Sequence, residues 1–207
     1  MRTMRLERLL AVLFWMALAL LPLPLLAIDE PFYITLTTRL MICARAASSL
    51  NLVLGYGGMV SFGHAAFFGI AGYTVGILAN YFDIVSAWIA WPLAMGVAAL
   101  LGVIIGAISL RTSGVYFIMI TLALAQMLYY LFTSLRVVGG QDGMTVPRST
   151  LAPFIDLENN ITLYYVTLAL LGLSLFVLYR AINARFGHVL QTVKANETRM
   201  AAIGYPT

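Results

Sequence analysis

Residues Ile84–Leu110 read IVSAWIAWPLAMGVAALLGVIIGAISL, 27 residues without one charged side chain. About 20 mostly apolar residues are enough for a helix to cross the ~30 Å hydrocarbon core of a bilayer. The stretch therefore predicts a transmembrane helix. A β-barrel strand would instead be short and alternate apolar with polar positions. Composition widens the same conclusion to the whole chain. Of 207 residues, 62% are hydrophobic and 10% are charged, against roughly 25% charged in an average soluble domain. Mean hydropathy is +0.94. Twenty charges (12 basic and 8 acidic) cannot cover a water-soluble globule of this size.

Five further runs flank the first. They are Leu9–Ile28, Leu40–Gly58 (interrupted by Arg45), Phe62–Phe82, Thr112–Leu135 and Ile161–Tyr179. The predicted fold is an all-α, polytopic transmembrane bundle of about six spans, with residues 1–207 as one membrane domain. Lys/Arg placement sets the orientation. With the N-terminus inside, eight of the 12 basic residues (Arg2, Arg5, Arg8, Arg111, Arg180, Arg185, Lys194 and Arg199) fall in the cytoplasm. Six of the 8 acidic ones (Asp29, Glu30, Asp83, Asp142, Asp156 and Glu158) fall outside. Both termini are therefore expected inside. Met1–Ala27 also carries a basic start, an apolar stretch and a small residue at a plausible cut, the pattern of a signal peptide, although its run is long for one.

Several chemistries are excluded. The net charge of +4 comes from dispersed basic residues at the ends of apolar runs, so no nucleic-acid partner is expected. One cysteine, Cys43, excludes an internal disulfide. Two histidines and one cysteine cannot build a usual Cys/His zinc site. Lys194 is the only lysine and follows Val193, whereas a P-loop requires Gly-Lys-Ser/Thr. No cofactor is expected, and ATP-driven work would require another polypeptide.

Within the apolar runs, small residues recur at four-residue spacing, Gly72 with Gly76 and Gly102 with Gly106. Such pairs let helix backbones approach closely. Ser48–Tyr73, SSLNLVLGYGGMVSFGHAAFFGIAGY, is different in kind. It places Asn51, Ser61, His64 and several glycines in an otherwise apolar region, where polar groups face protein or water. Gly55, Gly57 and Gly58 interrupt the second run, and bare backbone at such a break is tolerated only inside protein or beside a cavity. Three readings stay open: Asn51 and His64 satisfying each other or backbone carbonyls, a border to a translocation path, and a proton relay through His64. Together with Thr121 and Gln126, the polar groups Asn51, Ser61 and His64 are the candidate pathway residues.

The same stretch resembles the membrane subunits of branched-chain amino acid ABC importers, the LivM-type permeases. The likeness runs through Ser49-Leu50-Asn51-Leu52, Gly55-Tyr56, Gly58, Ser61, Gly63-His64-Ala65-Ala66-Phe67, Gly69-Ile70 and Tyr73. Gly114-Val115-Tyr116-Phe117, Thr121-Leu122-Ala123, Gln126 and Gly139-Gly140-Gln141-Asp142-Gly143 agree with it. It extends from about residue 40 to the end of the chain. Two departures stand out. Arg45 occupies a position that is usually apolar in the family, at an insertion cost of ~2.5–3.5 kcal/mol near the bilayer centre. It is expected to snorkel at the outer interface or to be paired inside the bundle. Family members also continue past the position of Thr207 with further helices, so the chain reads as an N-terminal portion: a fragment, a truncated product or a split subunit.

Residues 180–207 form the expected cytoplasmic segment. Val189, Val193 and Asn196 share one helical face, with Arg185, His188 and Lys194 elsewhere, which predicts a short juxtamembrane helix. The resemblance implies that this segment docks on the ATPase, with Lys194, Asn196, Glu197, Arg199, Ala201 and Gly204 as coupling residues. It further implies a non-enzymatic permease subunit in the bacterial inner membrane. Its partners are ATPase subunits, a second permease, an extracytoplasmic substrate-binding protein and membrane lipid. Urea, short amides or another small solute are alternative cargoes, and a non-transporting assembly protein is a further alternative. An intramembrane serine hydrolase built on Ser61 and His64 lacks an orienting acid.

Overall fold

The computed structural model describes residues 2–22, 31–112, 114–135, 138–140, 142–151, 157 and 159–195. Among them lie seven α-helices: α1 (Arg2–Leu20), α2 (Pro31–Asn51), α3 (His64–Tyr81), α4 (Ala87–Ser109), α5 (Val115–Ser134), α6 (Asn160–Ile182) and α7 (Arg185–Ala195). A π turn over Leu52–Tyr56 extends α2. The described residues hold no strand, only an isolated bridge between Ser86 and Thr150.

Three helices, α4, α5 and α6, are long and apolar enough to cross a membrane. At 1.5 Å per residue, 23 residues of α4 reach about 34 Å. They are barely covered by protein: only 6% of the most apolar window of α5 is buried. Leu100, Val103, Met119, Phe176 and Val177 stand exposed along their flanks, as hydrocarbon-facing side chains do. The helix expected over Ile84–Leu110 starts three residues late for a local reason. Thr150 donates its N–H to the Val85 carbonyl (2.9 Å) and accepts from the Ala87 N–H (2.9 Å), which satisfies one of the open donors at the helix start.

The second helix departs further from the charge-gap reading. It begins at Pro31, not Leu40, and runs through Arg39. Proline's fixed φ and missing N–H suit the first turn of a helix, and Arg39 is exposed, so its charge does not end the helix. The new start relocates Arg45. It lies 14 residues from the first residue of α2 and 6 from the last, half-buried near the end that leads into the Gly-rich break.

Residue contacts divide the chain into two units. The first, Met1–Ser48 with Leu157–Tyr179, is built on α1, α2 and α6. Its core joins Ile34 and Met41 of α2 with Tyr164 and Leu171 of α6, lined by Trp15, Ile161 and Leu168. Positions 161, 164, 168 and 171 repeat at three- and four-residue steps, the seam by which paired helices interlock. Tyr164 is fully buried and donates its hydroxyl to the Leu18 carbonyl at 2.5 Å. Thr38 and Thr167, also buried, donate to the carbonyls one turn back, Ile34 and Leu163, each at 2.8 Å.

The second unit, Ser49–Asp156 with Arg180–Thr207, is built on α3, α4 and α5. Ala87, Ala90 and Ala94 form a buried stripe of small residues on α4, which permits close helix approach. Of the spaced glycines, Gly102 lies against Phe67 of α3, and Gly76 lies under Met144 and Val146 of the following loop. Gly72 and Gly106 face open space, so neither expected pair packs as a pair. Asn80 fastens the same loop, donating its Nδ2 to the carbonyls of Gly76 (2.9 Å) and Thr145 (3.0 Å).

Candidate functional site

The site grows from the way α2 ends. Over Leu52–Tyr56 the helix widens: the Gly57 N–H reaches the Leu52 carbonyl (3.1 Å) and the Met59 N–H reaches that of Val53 (3.2 Å). Such π segments add a residue to the turn and expose backbone that an α-helix would hide. Asn51 sits at the start of this turn, exposed, with its side-chain oxygen folded over Gly55. The chain then loops through residues 57–63 and re-enters a helix at His64.

Two contacts fix that loop. Ser49 Oγ and His64 Nε2 lie 3.2 Å apart, tying the last turn of α2 to the first residue of α3. Either group donates, depending on the imidazole tautomer. The Gly63 N–H donates to Ser61 Oγ at 3.3 Å. Gly63 is buried against α5, and a Cβ there would stand 3.0 Å from the Thr121 carbonyl oxygen. Thr121 turns its own hydroxyl to the Ile118 carbonyl at 3.0 Å, and it meets Gly63 with its carbonyl oxygen and Cβ. The His64 ring meets Phe67 edge-on at 5.8 Å.

Beyond Gly63, α3 and α5 enclose a cleft of about 230 Å³. Phe62, Ala66, Ile70, Leu122 and Ala125 line it, with Tyr73 stacked on Phe132 at 4.5 Å. Gln126 supplies the one amide of the lining. An apolar pocket with few polar groups suits an aliphatic ligand.

Of the sequence-derived pathway residues, Ser61, His64 and Thr121 gather around Gly63, and Gln126 lines the cleft next to them. Asn51 stands apart from His64, whose partner is Ser49. Ser61 Oγ is engaged by Gly63 and Nε2 of His64 by Ser49, so the pair forms no nucleophile–base contact. Ser49 had no separate signal: it is one of three polar residues (Ser48, Ser49 and Asn51) at one helix end.

On the other side of the π turn, the short helix expected within residues 180–207 forms as α7, over Arg185–Ala195. Lys194 Nζ donates to the Gly55 carbonyl at 2.6 Å. Its aliphatic stem crosses Gly58, where φ is +69° and a Cβ would stand 2.8 Å from Lys194 Cγ. Glycine there meets both demands. Asn196, Glu197, Arg199, Ala201 and Gly204 lie outside the described residues.

Long apolar helices with little protein cover, joined through a Gly-rich break, are the features of a helical membrane protein. The profile of the family described as branched-chain amino acid transport system / permease component matches residues 32–207, and the chain belongs to that family. It is 27% identical to the high-affinity branched-chain amino acid transport system permease protein LivM of Escherichia coli strain K12, over 90% of this chain and 51% of that protein. The LivM of Salmonella typhimurium strain LT2 is 26% identical over the same shares. The chain thus spans about half the length of the curated relatives it matches. No solved structure gives a significant match.

Proposed function

We propose that the chain is part of a permease subunit of an ATP-driven importer for branched-chain or related amino acids in the bacterial inner membrane. The observation that carries this reading is the family match over residues 32–207. The pathway runs past Asn51, Ser61, His64, Thr121 and Gln126, and the α3–α5 cleft offers an apolar lining for an aliphatic side chain. Separate ATPase subunits supply the energy, a second permease completes the pore, and an extracytoplasmic binding protein delivers cargo. The subunit itself catalyses no reaction.

The topology proposed is six spans with both termini inside. Two contacts support its parity. The Ser86–Thr150 bridge puts the α3–α4 junction beside the loop after α5, and the Lys194–Gly55 bond puts α7 beside the loop before α3. Both follow if helices alternate in direction. Arg45 then snorkels toward the inner interface, where Lys and Arg are favoured.

The segment after α7, with Asn196, Glu197, Arg199, Ala201 and Gly204, is the ATPase-docking element. Glu197→Ala and Gly204→Pro in the assembled transporter test it. Both variants should lower uptake and substrate-stimulated ATP hydrolysis together. Normal transport by both would remove the coupling assignment.

A further inference from the structure

We infer that Lys194 is a positioning residue for transport, tying the short cytoplasmic helix α7 to the Gly-rich break so that displacement of α7 is delivered to the α3–α5 cleft. This rests on the permease reading above. Three observations carry it. The π turn uses the carbonyls of Leu52 and Val53 for its own wide bonds, and two residues further on the Gly55 carbonyl accepts from the lysine ammonium at 2.6 Å. A cation at the carbonyl end of a helix is favoured by the dipole, and the bond is charge-assisted. The lysine stem also lies on Gly58, so the contact has a steric as well as an electrostatic half.

The far side of the same loop is held as firmly. Ser49–His64 closes it against α3, and Gly63 rests on the Thr121 carbonyl, each next in sequence to a lining residue of the cleft, Phe62 and Leu122. The loop is fastened at Gly55 to α7 and at Gly63 to α5, with Phe62, a lining residue, beside the second anchor. A pull on α7 therefore moves the wall of the cleft through fewer than ten residues of chain. Transmission of this kind requires an element that both ends can bias. The loop qualifies by its two anchors. Lys194 is the only lysine in the sequence, so no neighbouring lysine substitutes for it.

The test uses the complete transporter assembled around this chain, with Lys194→Met, which keeps the stem and removes the ammonium, and Lys194→Arg, which restores a donor. The first readout is solute taken up per ATP hydrolysed, a ratio that loss of folded protein alone does not change. It should fall at least about fivefold in Lys194→Met, the lower end of usual coupling effects, and recover in Lys194→Arg. The second is the maleimide labelling rate of Val60→Cys in a Cys43→Ala background, which should rise when Lys194 becomes Met. An unchanged uptake ratio in Lys194→Met overturns the inference, whatever the labelling shows. If the wild-type assembly drives no ATP-dependent uptake at all, the permease reading falls and takes this inference with it. Normal wild-type uptake with an indistinguishable Lys194→Met removes the inference alone.

Discussion

Ser49 and His64 show how much chemistry one turn of helix decides. Ser49 and Asn51 are both polar and two residues apart, which places them about 200° around the helix from one another. Only Ser49 reaches the imidazole. The polar character of the region was legible in the sequence, because Asn51, Ser61 and His64 interrupt a long apolar stretch. The pairing was not, since it depends on the path of the loop between residues 57 and 63. A double-mutant cycle on Ser49→Ala and His64→Ala, read by thermal unfolding in detergent, should give a coupling energy of about 0.5–1.5 kcal/mol. Strict additivity would deny the contact. Gly63→Val should destabilise by about 1–3 kcal/mol, because Thr121 presents backbone that cannot swing aside. A variant as stable as wild type would show that the loop does not rest on α5.

At the scale of elements, α4, α5 and α6 follow directly from charge-free runs, although Thr150 bonds the start of α4, α5 starts three residues late, and α6 runs through Arg180 to Ile182. The start of α2 was hidden because a rule that ends helices at charges stops at Arg39, whereas an exposed arginine sits readily on one face of a longer helix. The seam of α6 at positions 161, 164, 168 and 171 is present in the sequence but does not stand out in a segment where nearly every position is apolar. Tyr164 makes that seam testable. Tyr164→Phe removes only the bond to Leu18 and should cost about 0.6–1.5 kcal/mol in thermal or denaturant unfolding. No change at all would mean that the hydroxyl contributes nothing to holding α1.

For the whole molecule, the proposed six-span topology would account for the charge asymmetry of the sequence and agrees with both loop contacts in the second unit. Single cysteines at Thr145 and Thr192, each in a Cys43→Ala background, should label from opposite faces of the membrane with an impermeant maleimide. Labelling from the same face would break the six-span parity. The sequence motifs pointed to the family, and the match over residues 32–207 establishes it. The convergence of Lys194 on Gly55 and Gly58 had no periodicity or spacing to announce it, because the residues are far apart in the chain. The most direct test of the central claim is radiolabelled leucine uptake into vesicles holding the complete transporter, its ATPases and its binding protein. Accumulation that requires ATP and the binding protein, and that isoleucine and valine compete away while urea does not, is the predicted result. Leucine accumulation that is absent, or indifferent to ATP and to the binding protein, would contradict it.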